Sequence, residues 1–571
     1  MITKLSSALL HSCTPTLLIS LFFIFHLSLS SVAAQVPSWT KKAAKSVVTV
    51  KTFAADGTLI GSATGFFVGE RGETVSAYAP FRGAARAVVV DGAGKEYDVA
   101  CIMGANDTYD VTKFRVSVKK SQPLVVAPAS QAVGTKLWQL PYREEKRVGQ
   151  CVVRKVETFG DGYSYYTLAM PTAGVMVGTP LLNDDGQVVG LMQASVNNSD
   201  TTGYAVSARF ADSLTVSGLS LNDPSMRAIG IKKALPSTLA QTQLMLYVAP
   251  SSLDSVAYAQ LVDDVISQYP EAVDGYQARA QLAVTAGDFA AAQRDMEQAL
   301  KAVEKKDEAH YAYSRLILQK AVYKADQPYE PWTLELAYAE AAEAYRLNPQ
   351  PSYLHQQAQT LFAQKRYAEA CDAYLQLTTT SMRSAETFYE AGRCKLMQND
   401  TVAYLALLDS AVAQFAQPYL KEAAPYLMVR ARARASVGKY REAVVDMNDY
   451  EALMRSQLTD NFYYLRHQAE IGGRLFQQAL NDIDKAIEMA PANPFYLSEK
   501  ASLQIRVGLH ADAQQTARQL IEQEPKQSDG YLFLGLAQCL AGDKAEGTKN
   551  LQKAQEMGDP QAASLLEKYG K

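Results

Sequence analysis

Ser76, Thr172, Thr179 and Ser195 are hydroxyls in the first half of the chain that could attack a carbonyl, and Asp110 is a carboxylate that could orient a base. A hydroxyl at its ordinary pKa is a weak nucleophile and needs that base beside it. No histidine occurs between Gln35 and Ala309, and a lysine-assisted scheme requires a geometry that spacing alone does not supply. Metal chemistry has no more support. Beyond residue 34 the cysteines are Cys101, Cys151, Cys371, Cys394 and Cys539, and none sits in a C-x-x-C or a Cys/His cluster. They read as small buried residues. An odd number of thiols leaves at least one unpaired or paired between chains in an oxidising compartment. No cofactor is called for, and the residue pattern leans toward binding rather than catalysis.

The compartment is suggested by the start of the chain. Met1 to about Ala34 carries one lysine, an apolar run from Leu17 to Leu29 and small residues at Val32-Ala33-Ala34, the pattern of a cleavable secretory signal. Its core is shorter than the roughly 20 residues that span a bilayer, and no later segment is apolar enough to do so. Cys13 is not followed by the small-residue start of a lipoprotein. The chain is therefore expected to be exported, to a periplasm or cell envelope or beyond. Its 571 residues leave room for more than one folded unit, and 56 basic against 59 acidic residues give a net charge of -3. Loss of Lys4 with the leader would make it -4. No basic tract points to nucleic acid.

Two textures follow. Residues 46 to about 210 hold short β-branched runs such as Ser46–Phe53, Ala87–Asp91, Cys151–Val156 and Gln187–Met192, broken by Gly, Asp and Asn. Alternation with period two at short spacing predicts an all-β barrel or sandwich, with Asp91-Gly92 and Asp185-Gly186 as hairpin turns. From about residue 251 the apolar residues fall at helical spacing. Between the textures, 217–252 contains Gly218, Pro224, Pro236 and Pro250 and reads as an ordered connector, with a strand or short helix near Ile229–Leu235.

The helical half repeats itself. Joints at Gly438-Lys-Tyr440, Gly473–Phe476, Gly508-Leu-His510 and Gly542-Asp-Lys544 recur at steps of 35, 35 and 34, each followed by a small residue: Ala443, Ala479, Ala513 and Gly547. Tyr463, Ala479, Ile483, Ala486 and Pro491 in one copy, and Tyr531, Leu534-Gly535, Leu551 and Ala554 in the last, resemble the tetratricopeptide repeat family. Earlier copies fall at Gly287-Asp-Phe289, Lys365-Arg-Tyr367 and near Ala391–Asp400, and Tyr311–Pro349 is a copy with a longer turn at Asp326–Pro331. About eight repeats are expected over 253–571, and the resemblance implies a stacked all-α superhelix with a concave binding face.

Residues 42 to about 212 resemble the trypsin-like serine peptidases, especially the exported high-temperature-requirement type. Ser46–Val50 followed by Gly61–Val68 is similar to the family's opening strands, Gly134–Leu140 to the first strand of a second barrel, and Gly203–Ser207 to a late strand that pairs with bound peptide. The resemblance implies an all-β double barrel over 35–216. It also places the catalytic positions. Val75–Phe81 aligns with the element that carries the general base and puts Ala79 there. Asp110–Val116 makes Asp110 the orienting carboxylate. Gly174–Gly190 aligns with the nucleophile loop, and counting back from Pro180 puts Val177 at the serine; a one-residue shift puts Met176 there. Val175 falls on a glycine that the oxyanion loop requires. Each replacement denies the triad.

The reading that follows has a signal peptide at 1–34, a catalytically degenerate trypsin-like domain at 35–216, a connector at 217–252 and the repeat array at 253–571. Its expected function is non-catalytic capture of a protein or peptide. Phase taken from the joints turns Tyr464, Gln468, Ser498, Arg506 and Asp529 toward the groove. An architectural envelope protein and a hydrolase with a non-standard nucleophile are the alternatives.

Overall fold

Strand β1 (Val47–Phe53) buries alternate residues, as a β-branched run with one face inward must. It pairs with β2 (Leu59–Phe67), and β3 (Glu73–Ser76), β4 (Arg86–Val90), β5 (Glu96–Asn106) and β6 (Val111–Val116) complete a closed antiparallel barrel in the order β1-β2-β3-β6-β5-β4. A second closed barrel has the order β10-β11-β12-β9-β8-β7. Its strands are β7 (Lys136–Gln139), β8 (Gly149–Phe159), β9 (Tyr163–Leu168), β10 (Pro180–Leu182), β11 (Val188–Gln193) and β12 (Gly203–Ser207). Closure removes the free edges that an open sheet of this size would expose. These observations come from a computed structural model that describes residues 36–141, 148–170, 176–195 and 202–569. The expected signal segment lies outside them, as do Thr172 and Val175.

Of the two expected hairpin turns, one differs from its sequence reading. The chain reverses after β4 through Asp91–Lys95, with the Asp91 N–H donating to Lys95 O, and the residue at positive φ is Gly94 rather than Gly92. A three-residue loop, Gly92–Gly94, replaces the two-residue hairpin because Asp91 Oδ1 accepts the N–H groups of Ala93 and Lys95. Gly186 does take the left-handed conformation, at φ 76°. Beyond Ser76 the strand stops, and Ala79–Phe81 forms a single turn of 3-10 helix.

Segment 217–252 is more than a connector. Met226, Ile229 and Ile231 are buried in the first barrel's core beside Val48, Phe81 and Phe114. Lys233 forms a parallel bridge with Ile102 of β5, through Ile102 N–H to Lys232 O and Ala234 N–H to Ile102 O. A ten-residue helix at Leu239–Val248, which the proline content had concealed, packs Met245, Leu246 and Ala249 against Leu261, Val262 and Val265 of the helix Ser255–Gln268.

The chain divides into two compact units, one ending at Leu282 and one beginning at Ala283. The second is all helix among its described residues. Helices such as Asp460–Gly472 and Phe476–Met489, or Ser528–Leu540 and Lys544–Glu556, pack as successive hairpins. Their joints share one backbone device, a residue at positive φ just before the second helix: Gly287, Lys365, Asn399, Gly438, Arg474, Gly508 and Gly542. At the third C-terminal joint it is Arg474 that turns, one residue later than the sequence reading placed it. Ala443, Ala479 and Ala513 are fully buried, and a Cβ on Gly547 would strike Cys539 and Gly535 O. Small residues thus sit where paired helices cross.

Candidate functional site

The turn between β5 and β6 sets the position of Asp110. Asn106 Oδ1 accepts the Tyr109 N–H at 2.9 Å. Tyr109 is also clamped on both sides, by ring contacts to Phe159 and Phe210 and by a hydrogen bond from Gln193 Nε2 of β11 to its carbonyl. These contacts hold Asp110 at φ 48°, a conformation that aspartate tolerates. Its Oδ1 accepts the backbone N–H of Ala79 at 2.7 Å. Burial holds the Asp110 carboxyl above the usual range, against the opposing pull of the Ala79 and Tyr78 N–H groups and the Arg82 charge.

Val177 approaches the same strands from the second barrel. Its carbonyl accepts the Thr64 N–H of β2 at 3.1 Å, and Thr64 O accepts the Ser76 hydroxyl at 2.8 Å. Gly178 follows at φ 83°, so close to Thr64 O that any Cβ there would overlap it. The backbone of residues 79, 110 and 177 is therefore organised by β2, β3 and the β5–β6 turn, while the side chains at two of the three positions are a methyl and an isopropyl.

No base is joined to the hydroxyls described nearby. Ser76 Oγ gives its hydrogen to a backbone carbonyl, and Thr179 Oγ1 and Ser195 Oγ are shielded from water without a hydrogen-bond partner. Tyr165, partly buried, has its hydroxyl pushed up by burial and by the charges of Tyr204 and Asp110, which favours the protonated phenol over the phenolate. Among the described residues, none of the hydroxyls of Ser76, Thr179 and Ser195 is hydrogen-bonded to a side-chain proton acceptor, the group that acyl transfer draws on.

In the helical unit, Tyr464 and Gln468 come together, Gln468 Nε2 bonding the Tyr464 hydroxyl. The Tyr464 ring packs against Phe495 and Tyr496 of the following hairpin, with centroids 5.2 and 5.6 Å away. It is half-buried. Arg506 lies over the ring of Phe476 instead, Ser498 bonds back to Pro494 O of its own helix, and Asp529 stands in the first turn of Ser528–Leu540. The five proposed groove residues do not form one cluster. Sequence reasoning passed over Phe495, 46 % exposed beside Tyr464, and the buried polar set Arg466, His467, Glu470 and Asp482. Arg466 there binds Asp482 at 2.6 Å through Nε. Both lie in ordinary amphipathic helices, where polar residues on an inward stripe were the available signal.

Residues 63–191 match the family model of the trypsin-like peptidase domain. The double barrel is the architecture of that class. Among solved structures, the Rv3671c protease of M. tuberculosis in its active form is 16% identical over 42% of this chain and 97% of its own, with a TM-score of 0.28. Its inactive form is 18% identical over 31% and 90%, with a TM-score of 0.26. The serine endoprotease from Yersinia pestis is 16% identical over 31% and 66%, with a TM-score of 0.27. No curated protein matches the chain.

Proposed function

We propose that this protein is an exported, non-catalytic binding protein, in which a trypsin-like domain that has lost its triad is joined to a tetratricopeptide array that holds a protein or peptide. One observation carries the reading: Asp110 still bonds the backbone of residue 79, but the side chain it would orient is the methyl of Ala79. The aliphatic Val177 and the absence of any base on Ser76, Thr179 or Ser195 support it. In the array, the exposed Phe495 beside Tyr464 offers the kind of aromatic anchor that interfaces favour.

A fluorophosphonate probe and a casein digestion assay test the catalytic half of this proposal. Neither labelling nor turnover is expected, and covalent labelling of any residue between 36 and 216 overturns it. Co-purification from the native envelope tests the binding half. A Tyr464→Ala, Phe495→Ala double variant should lose about 10-fold or more of its partner while keeping its helical content. Unchanged capture would move the site elsewhere.

A further inference from the structure

Away from the degenerate cleft, the first unit holds a cavity of about 580 Å³. One wall is the outer face of the first barrel. The ladder between β5 and β6 slips between Val99 and Cys101 and again between Ile102 and Gly104, and the extra residues, Ala100 and Met103, line the space. Lys113 and Arg115, two apart on β6, share that face. The opposite wall is the 232–237 segment with Asp264, Ser267 and Gln268 of the helix Ser255–Gln268. The volume lies within the range of small-molecule sites.

Charge in this cavity is unbalanced. Among the described residues its lining holds four cations, Lys113, Arg115, Lys232 and Lys233, against one carboxylate, Asp264. Asp264 is already engaged by Lys232 at 2.6 Å. Lys113 donates to Ala211 O, and Lys233 to the carbonyls of Ile229 and Ile231, so neither has an anionic partner and each ammonium keeps hydrogens to give. Arg115 reaches Glu73 only at 3.7 Å, and its Nε is shielded from water with no hydrogen-bond partner. A sheltered donor with nothing to donate to, amid excess positive charge, matches the planar fork that guanidinium offers to an oxyanion. Burial draws the Lys233 ammonium down to about 8, the cost of taking an ammonium out of water.

We propose that this cavity binds a small organic anion through a carboxylate or phosphate group, with Arg115 as the fork, Lys113 and Lys233 as flanking charges, and Leu235 and Pro236 against its apolar part. The site is separate from the degenerate triad and does not rest on the binding role given to the array.

Isothermal titration of the purified protein with citrate and, in a separate arm, with pyrophosphate tests this. Saturable binding with Kd below about 1 mM is expected for at least one, the better arm identifying carboxylate or phosphate chemistry. Arg115→Gln and Lys113→Gln should each weaken that binding about 10-fold or more, and Asp264→Asn, which removes the one carboxylate among the described lining residues, should tighten it several-fold. If Arg115→Gln does not fold, Lys232→Gln at the exposed rim should still weaken binding. Failure of both anions to bind overturns the proposal. Binding that none of the cation variants weakens, or that Asp264→Asn weakens, overturns it equally.

Discussion

Asp110 stands where the resemblance puts an orienting carboxylate, and in this structure it bonds the backbone of Ala79. On the proposed reading its carboxylate serves a structural task, accepting the Ala79 N–H, while Tyr109 before it is held by Phe159. Restoring only side chains should therefore fall short of restoring function. In an Ala79→His, Val177→Ser variant, peptidase turnover is expected to remain about 100-fold to 1000-fold below that of an active enzyme, the cost typical of one missing oxyanion donor. The reason is that Val175 and Thr179 stand where the resembled loop has glycines. Turnover near that of an active peptidase, measured on a chromogenic peptide, would show that this loop can still form the hole. The approach of residues 79 and 110 to each other was legible in the sequence because each lies next to a strand whose alternation fixes the register, while their catalytic assignment belongs to the proposed function. The cavity lined by Lys113, Arg115 and Lys233 was not, because 120 residues separate its walls and only the bulged β5 and the Ile102 to Lys233 bridge bring them together.

At the scale of elements, the repeat joints were readable wherever glycine marked the left-handed residue, and slipped by one where Arg474 takes that role beside Gly473. For the groove, the spacing gave Tyr464 and Arg506 one face, and the two side chains pack against different rings, Phe495 and Phe476. The helix Asp460–Gly472 instead carries a buried titratable group that periodicity did not flag. Burial and the Asp482 charge push the Glu470 carboxyl up to about 8, while Arg466, at 3.9 Å, and Lys485 pull the other way and Glu451 adds to the rise. A carboxyl whose folded pKa exceeds its unfolded value contributes stability that is complete below about 4.5 and is lost as pH rises through 8. His467, buried one turn earlier with its pKa lowered by desolvation, acts in the opposite sense and only below its ordinary 6.5. Between pH 7 and 9 Glu470 titrates without His467, and comparison with Glu470→Gln cancels Lys233, whose ammonium also titrates near 8. Thermal melts over that interval should show a falling melting temperature for the parent and a flatter profile for Glu470→Gln, with a gain of about 1 kcal/mol or more at pH 9. Parallel profiles would mean that Glu470 is ionised and paired in the folded protein.

For the molecule as a whole, the question is where the β domain ends. Sequence texture changes at about residue 216, and the proline and glycine that follow look like a linker. The hydrophobic core does not stop there. Met226, Ile229 and Ile231 fill the first barrel, the Tyr78 hydroxyl bonds Ser225 O, and Leu221 joins the cluster under Leu239–Val248. Burying each large aliphatic side chain contributes about 2 kcal/mol, so losing three of them removes an amount comparable to the roughly 5 to 15 kcal/mol that holds a domain folded. A fragment of residues 36–282 is expected to unfold in one cooperative transition by near-ultraviolet circular dichroism. A fragment of 36–216 should instead lose the sharp transition or melt at least about 10 °C lower, on the scale of about 2 to 4 °C per kcal/mol for domains of this size. Equal melting temperatures would mean that the barrels close their cores without the 217–252 segment, and that Met226, Ile229 and Ile231 merely cover a face already complete.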